Sequence, residues 1–190
     1  MEYKAKDFSH LLGTKGFSDI LLKNHFILYN GYVTNTNKLI ELLDKLEPGT
    51  TEYSELQRRF SWEFNGMRLH ELYFENMTSN PKSLKMDSRF TKELIRIYGS
   101  YENWEKNFKA VGAMRGIGWA LLVYDLEKKE LFNIWVNEHD TGHLATTIPL
   151  LIMDVFEHAF MLDYGLRRAD YIATFFETID WETVEKRFIL

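Results

Sequence analysis

The chain has 190 residues, is 45% hydrophobic and 15% aromatic, and carries a formal net charge of −5; this describes a packed globular protein with a ring-lined interior. Its acidity argues against a nucleic-acid or anionic-membrane binder that works by overall charge. With no cysteine, disulfides, thiolate metal sites, iron–sulfur clusters and cysteine nucleophiles are excluded, so any metal must be held by histidines and carboxylates.

The opening stretch MEYKAKDFSHLL has no apolar signal core, and no run approaches the length of a membrane span. A soluble cytoplasmic protein is therefore expected. A helix is predicted from Phe17 to Leu43, with Leu21, His25, Leu28, Tyr32, Leu39 and Leu43 recurring on one stripe. EPGTTEY (47–53) reads as a turn, and a second helix follows from about Glu55 to Met77. Phe60, Phe64, Met67, His70, Phe74 and Met77 share its inner face. Two long helices with a short polar connection form an antiparallel hairpin. TSNPKSLKMDS (78–88), polar and punctuated by Pro81, is the linker.

RFTKELIRIYGS and YENWEKNFKAVGAMRG read as shorter helices ending at Gly99 and Gly116. The period then changes. Residues 117–125 and 130–140 are β-like and joined by the charged turn LEKK, and 146–155 is a third apolar run in which Pro149 marks a strand start or an edge. FEHAFMLDYG, LRRADYIATFFETI and DWETVEKRFIL read as helices. The expected fold is α+β in two parts: an N-terminal antiparallel helical hairpin over residues 1–84, then a C-terminal domain over 85–190 with a three-stranded antiparallel sheet and helices.

The six histidines are His10, His25, His70, His139, His143 and His158. His25 and His70 each lie on the apolar stripe of a hairpin helix. Taken singly, each reads as a buried neutral imidazole hydrogen-bonded to a neighbour. Taken together on adjacent helices, they can converge on one point, as ligands in helical bundles do. Asp154 and His158 stand four apart where the last apolar run ends. Asp154 reads equally as a cap accepting first-turn amides or as a ligand. Three imidazoles and one carboxylate would suit Fe, Mn or Zn, whereas Ca and Mg prefer oxygen shells. No phosphate loop, nucleophile elbow, dinucleotide fingerprint or calcium loop occurs.

Several stretches carry a family likeness. PLLIMDVFEHAFMLDY resembles the C-terminal metal-binding motif of iron/manganese superoxide dismutases, and GIGWALLV is similar to a strand of that family. YVTNTNKLIELL and HELYFENM resemble its first and second helices, and RRADYIATFFETIDWETVEKRF its tail. The resemblance runs over nearly the whole chain in order. It implies a single Fe or Mn ion per subunit, bound by His25, His70, Asp154 and His158 at the interface of the two parts, with a solvent molecule in a fifth position. It implies that His139 hydrogen-bonds that solvent, in the place where other members use a Gln on the second helix; here Gly66 stands at that helix position. Tyr32 would be the gateway tyrosine and proton relay, Arg168 a cation behind the ligands, and Phe74, Trp119 and Phe156 an aromatic wall. The implied activity is conversion of superoxide to dioxygen and hydrogen peroxide. The implied assembly is a homodimer or tetramer with Glu157 at the interface, with neither nucleic acid nor membrane as partner.

The sequence departs from the family pattern in the first helix and after the motif. His25 and Tyr32 are one residue closer than usual, Tyr29 stands where a second His is usual, and Met161 replaces a tyrosine that pairs with that His across the dimer. Both ends of one cross-subunit hydrogen bond are thus lost together. These departures motivate an alternative, a metal-binding protein of this fold with weak or no dismutase activity.

Overall fold

The computed structural model describes residues 2–188. Ile189 and Leu190, at the end of the last predicted helix, lie outside the described residues. Helices α1 (Asp19–Leu43) and α2 (Thr51–Glu75) form the antiparallel hairpin. Each starts at a hydroxyl cap: Ser18 accepts from the Leu21 amide at 3.1 Å and Thr50 from the Tyr53 amide at 3.2 Å. Such a bond satisfies one of the amides that a helix start leaves without a partner. Because Thr50 is the cap, α2 begins before the predicted Glu55 and the turn is correspondingly shorter. The inner stripe of α1 is Leu21, Leu22, His25, Tyr29, Tyr32, Val33, Thr36 and Leu39. Leu28 and Leu43 are only half-buried.

Residues 78–88 carry no helix or strand, as expected of a linker. The end of α2 is nevertheless tied to the sheet. The Asn76 side chain accepts from the Ile152 amide at 3.0 Å and donates to the Ile152 carbonyl at 3.2 Å. Arg187 donates to the Leu72 and Leu150 carbonyls, each at 3.0 Å, and to Glu75 at 3.1 Å.

Helices α3 (Arg89–Tyr98) and α4 (Tyr101–Gly112) follow, divided by Gly99 at φ 82°, a left-handed conformation that glycine adopts without steric cost. α4 stops at Gly112, short of the predicted Gly116. The sheet runs β2–β1–β3, all antiparallel, with β1 (Gly118–Asp125) between β2 (Glu130–Asn137) and β3 (Thr147–Asp154). Flanked on both edges, β1 is buried along seven of its eight residues, hence its unbroken apolar run. Pro149 lies on the edge strand β3, where the register shifts opposite Leu122 and Val123; a residue without an N–H is tolerated there.

Two strand and helix expectations are corrected. β2 ends at Asn137 rather than Asp140, because Asn137 and Thr141 exchange backbone bonds of 2.7 and 3.3 Å and close a loop over 138–140. FEHAFMLDYG is not one helix. It is a single 3-10 turn (Glu157–Ala159) and the one-turn α5 (Met161–Tyr164), broken at Phe160 with φ −145°. Helices α6 (Arg168–Phe176) and α7 (Trp181–Arg187) complete the chain. Among the described residues no helix is long and apolar enough to cross a membrane.

Candidate metal centre

Four elements aim one side chain each at a common point. α1 brings His25, α2 brings His70, the end of β3 brings Asp154, and the 3-10 turn brings His158. One donor atom from each lies within 4.8 Å of all the others. Asp154 Oδ2 is 3.1 Å from His25 Nε2, 3.1 Å from His158 Nε2 and 3.6 Å from His70 Nε2. The first three residues are buried and His158 is half-buried.

Local hydrogen bonds orient these donors. His70 Nδ1–H donates to the Gly66 carbonyl at 2.6 Å, which leaves a buried Nε2 with no hydrogen-bond partner facing the cluster. Fixing one ring nitrogen by a backbone carbonyl selects the tautomer whose other nitrogen has a free lone pair. Asp154 divides its two oxygens: Oδ1 accepts the Phe156 amide at 2.8 Å while Oδ2 faces the imidazoles. The Oδ1 bond closes a local turn at the strand end and is not a helix cap, since the 3-10 turn that follows has Phe156 at its N-cap and no side-chain cap bond; Oδ2 is left to face the imidazoles. Tyr171 Oη braces the same residue by donating to its backbone carbonyl at 2.6 Å. Asp154 and His158 meet not on a helix face but across a strand end and a tight turn.

The electrostatics match. Burial holds His25 below the usual imidazole range and His70 well below it. Burial alone would raise the Asp154 carboxyl, but the His158 and His25 rings beside it hold it well below the usual carboxylate range. The result is two buried neutral imidazoles, His25 and His70, facing one anionic oxygen, with the His158 ring beside them. Together with the orphaned nitrogen of His70, this donor set fits Fe or Mn.

A second layer surrounds the four. Tyr32 stacks on His70 with centroids 5.1 Å apart and meets His139 Nε2 at 2.8 Å through its hydroxyl. The shortened spacing from His25 therefore still delivers Tyr32 to the site. His139 Nδ1 accepts from Trp119 Nε1–H at 3.0 Å. An indole only donates, so the network assigns the His139 proton to Nε2, facing Tyr32. Burial pushes His139 down to about 4, keeping the ring neutral. Gly66 permits this arrangement sterically: a Cβ there would sit 2.5 Å from the Tyr32 ring. Of the expected aromatic wall, Phe74 lies 4.8 Å from His25, Trp119 5.0 Å from His70 and Phe156 4.9 Å from His139.

Arg168 stands further out. It donates to the Gly116 carbonyl at 2.9 Å, and its Nε and Nη2 are buried without partners. It makes no hydrogen bond to the four donors. Tyr29 finds partners within its own subunit: its hydroxyl donates to Glu71 at 3.0 Å and accepts the Lys6 amide at 3.0 Å, and Arg68 completes Glu71 at 2.6 Å. Sequence reasoning missed Glu71, Tyr171 and Trp62. Only Trp62 carried a signal, since it precedes Gly66 and His70 at intervals of four along one helix.

Comparison with known proteins agrees with this geometry. Residues 86–187 match the family model described as iron/manganese superoxide dismutases, C-terminal domain. An iron superoxide dismutase of Saccharolobus solfataricus is 32% identical over 181 residues, covering 92% of this chain and 84% of the relative. A manganese superoxide dismutase of Haloferax volcanii is 34% identical over 171 residues, 89% of this chain and 85% of the relative. An iron superoxide dismutase of Pyrobaculum aerophilum is 30% identical over 174 residues, 90% and 82%. The family-model match over residues 86–187 and relatives at least 30% identical over about nine-tenths of the chain, added to the converging donors of α1, α2, β3 and the 3-10 turn, place the chain in one family: it belongs to the iron/manganese superoxide dismutases.

Proposed function

We propose that this protein converts superoxide to dioxygen and hydrogen peroxide at one Fe or Mn ion per subunit, held by His25, His70, Asp154 and His158. The observation that carries this reading is the convergence of three imidazole nitrogens on Asp154 Oδ2, one of them buried without any other partner. When bound, the metal would supply the one-electron couple that dismutation of superoxide needs. The protein's residues do the rest. The Asp154 carboxylate contributes anionic charge that favours the more oxidised metal. His139, neutral and oriented by Trp119, holds a proton at Nε2 against Tyr32 Oη. That donation frees the Tyr32 O–H to serve as proton donor on the substrate side. Arg168 offers positive potential behind the site for an anionic substrate.

The domain division expected from sequence, 1–84 and 85–190, belongs to the same reading, with the site between the parts. So does pairing of two subunits, as a dimer or tetramer, through the face that carries Glu157. There Leu21, Asn24, Glu157, His158, Met161 and Leu162 line a cleft of about 440 Å³, and exposed Leu162 and Leu166 add apolar surface. Sedimentation of the purified protein as a monomer would refute the pairing. Elemental analysis followed by superoxide consumption per bound ion tests the activity. Turnover that falls about 10–100-fold in His139→Ala while metal stays bound is expected for a residue acting beside the ligands. Stoichiometric metal with negligible turnover in the wild type would overturn the reading in favour of a metal-binding protein of this fold.

A further inference from the structure

Glu55, Arg58, Arg59, Trp62, Glu138 and Asp140 line a cleft of about 300 Å³ on the surface beside α2. The Trp62 indole forms its inner wall. That ring lies edge-on to His139 at 4.5 Å between centroids and tilted against Tyr32 at 5.5 Å. Behind those two rings stands His70, stacked on Tyr32. Successive ring contacts thus lead from this cleft toward the four donors: Trp62, then the Tyr32–His139 pair, then His70.

Two groups hold the indole from outside. Trp62 Nε1–H donates to the Glu138 carboxylate at 2.9 Å, and the Arg59 guanidinium sits over the ring at 3.8 Å from its centroid. Arg59 is itself paired with Glu63 at 2.8 Å. Glu138 adopts φ 49°, which is uncommon for a residue with a side chain. The loop over 138–140, pinched by the Asn137–Thr141 bonds, carries Glu138 exposed and His139 buried. The same loop thus supplies the inward partner of Tyr32 and the outward partner of Trp62. Both ends of the Trp62–Glu138 bond are reachable by water, so its release leaves no buried group unpaired.

We propose that Trp62 is a latched shutter, held by Glu138 and Arg59, that limits by size which anions reach the Tyr32–His139 side of the centre. A diatomic or triatomic anion passes beside the closed indole, and a bulkier one enters only when the Trp62–Glu138 bond opens. Charge at the cleft adds a second filter, since three carboxylates face two guanidiniums there and oppose multiply charged anions. This proposal rests on the assignment of His25, His70, Asp154 and His158 as the metal site. Trp62 is a specificity-determining residue in it and touches no reacting atom.

The test has two arms on the purified protein, with metal content measured in parallel. In the first, N-acetylimidazole modifies tyrosine hydroxyls and peptide mass spectrometry reads the rate at Tyr32. Trp62→Phe keeps a ring but loses the N–H, and Glu138→Ala removes the acceptor. Each is expected to speed Tyr32 modification about tenfold, the shift in a closed–open equilibrium from losing one charge-assisted hydrogen bond. Trp62→Ala should be faster still. In the second arm, azide and the bulkier benzoate are followed by the absorption change at the loaded metal. Both latch variants should admit benzoate faster while leaving azide entry unchanged. Unaltered Tyr32 modification in Trp62→Phe and Glu138→Ala, with wild-type circular dichroism, overturns the shutter. Equal acceleration of azide and benzoate overturns its role in size selection. A protein that binds no metal overturns the site assignment instead, and the Tyr32 arm still reads the shutter.

Discussion

Replacing Gly66 by Ala tests the packing that joins α2 to the second layer of the site. A Cβ at this position would lie 2.5 Å from Tyr32 Cδ1, 2.7 Å from Cε1 and 3.0 Å from Cγ. Ordinary carbon–carbon contact is about 3.5–4.0 Å, so the ring must retreat by roughly 1 Å. Its other neighbours oppose that movement: His70 is stacked on it, and its hydroxyl is bonded to His139 at 2.8 Å. Overpacking of this kind costs about 1–3 kcal/mol, and loss of the Tyr32–His139 bond adds about 1 kcal/mol. Alanine recovers about 1 kcal/mol through its better helix propensity. The net expectation is a destabilisation of about 1–3 kcal/mol, which lowers the melting temperature by roughly 2–4 °C per kcal/mol in a chain of this size. Urea unfolding of metal-free wild type and variant, with equal m-values, reads the difference directly. A Gly66→Ala protein as stable as the wild type, or more stable, would refute the argument that Tyr32 occupies the space this glycine leaves.

Metal removal should destabilise the wild type, because a ligand that binds only the native state at a thousand times its Kd contributes about 4 kcal/mol. The drop in melting temperature on adding a chelator should vanish in His70→Ala, and a drop of equal size in both proteins would count against His70 as a ligand. Tyr29 provides a test in alkaline solution. Burial pushes its phenol up to about 12, against about 10 in an unfolded chain. The raised value favours the neutral form, so this contribution is complete below pH of about 10 and is lost as pH rises through about 12. The stability gap between wild type and Tyr29→Phe should therefore shrink across that interval; a gap that stays constant would refute the assignment.

Much of the site was legible in the sequence. His25 and His70 fell on apolar stripes because a helix repeats its faces every 3.6 residues, and the 117–125 strand was legible from its apolar run, although its central place in the sheet was not. Gly99 and Pro149 act on their immediate neighbours, so the helix break and the edge strand followed from local chemistry, whereas the Ser18 and Thr50 caps were not read and the expected α2 starts late. The family resemblance named the four residues that the structure brings together, and Tyr32 and His139 that stand beside them, while Arg168 lies further out.

Tertiary structure decided the rest. His25 and Asp154 are 129 positions apart, and only the packing of α1 and α2 against β3 and the 3-10 turn after it brings the three rings to one carboxylate oxygen. No local pattern distinguishes the two oxygens of Asp154, one of which holds a turn while the other faces the site. Nor does any pattern show that β2 stops at Asn137, since the bonds that end it come from Thr141 closing the loop. The same holds for Tyr171 beneath Asp154 and for Trp62 over Tyr32 and His139. Backbone propensity and periodicity are short-range, whereas the identity of a side chain's neighbours is set when the elements pack.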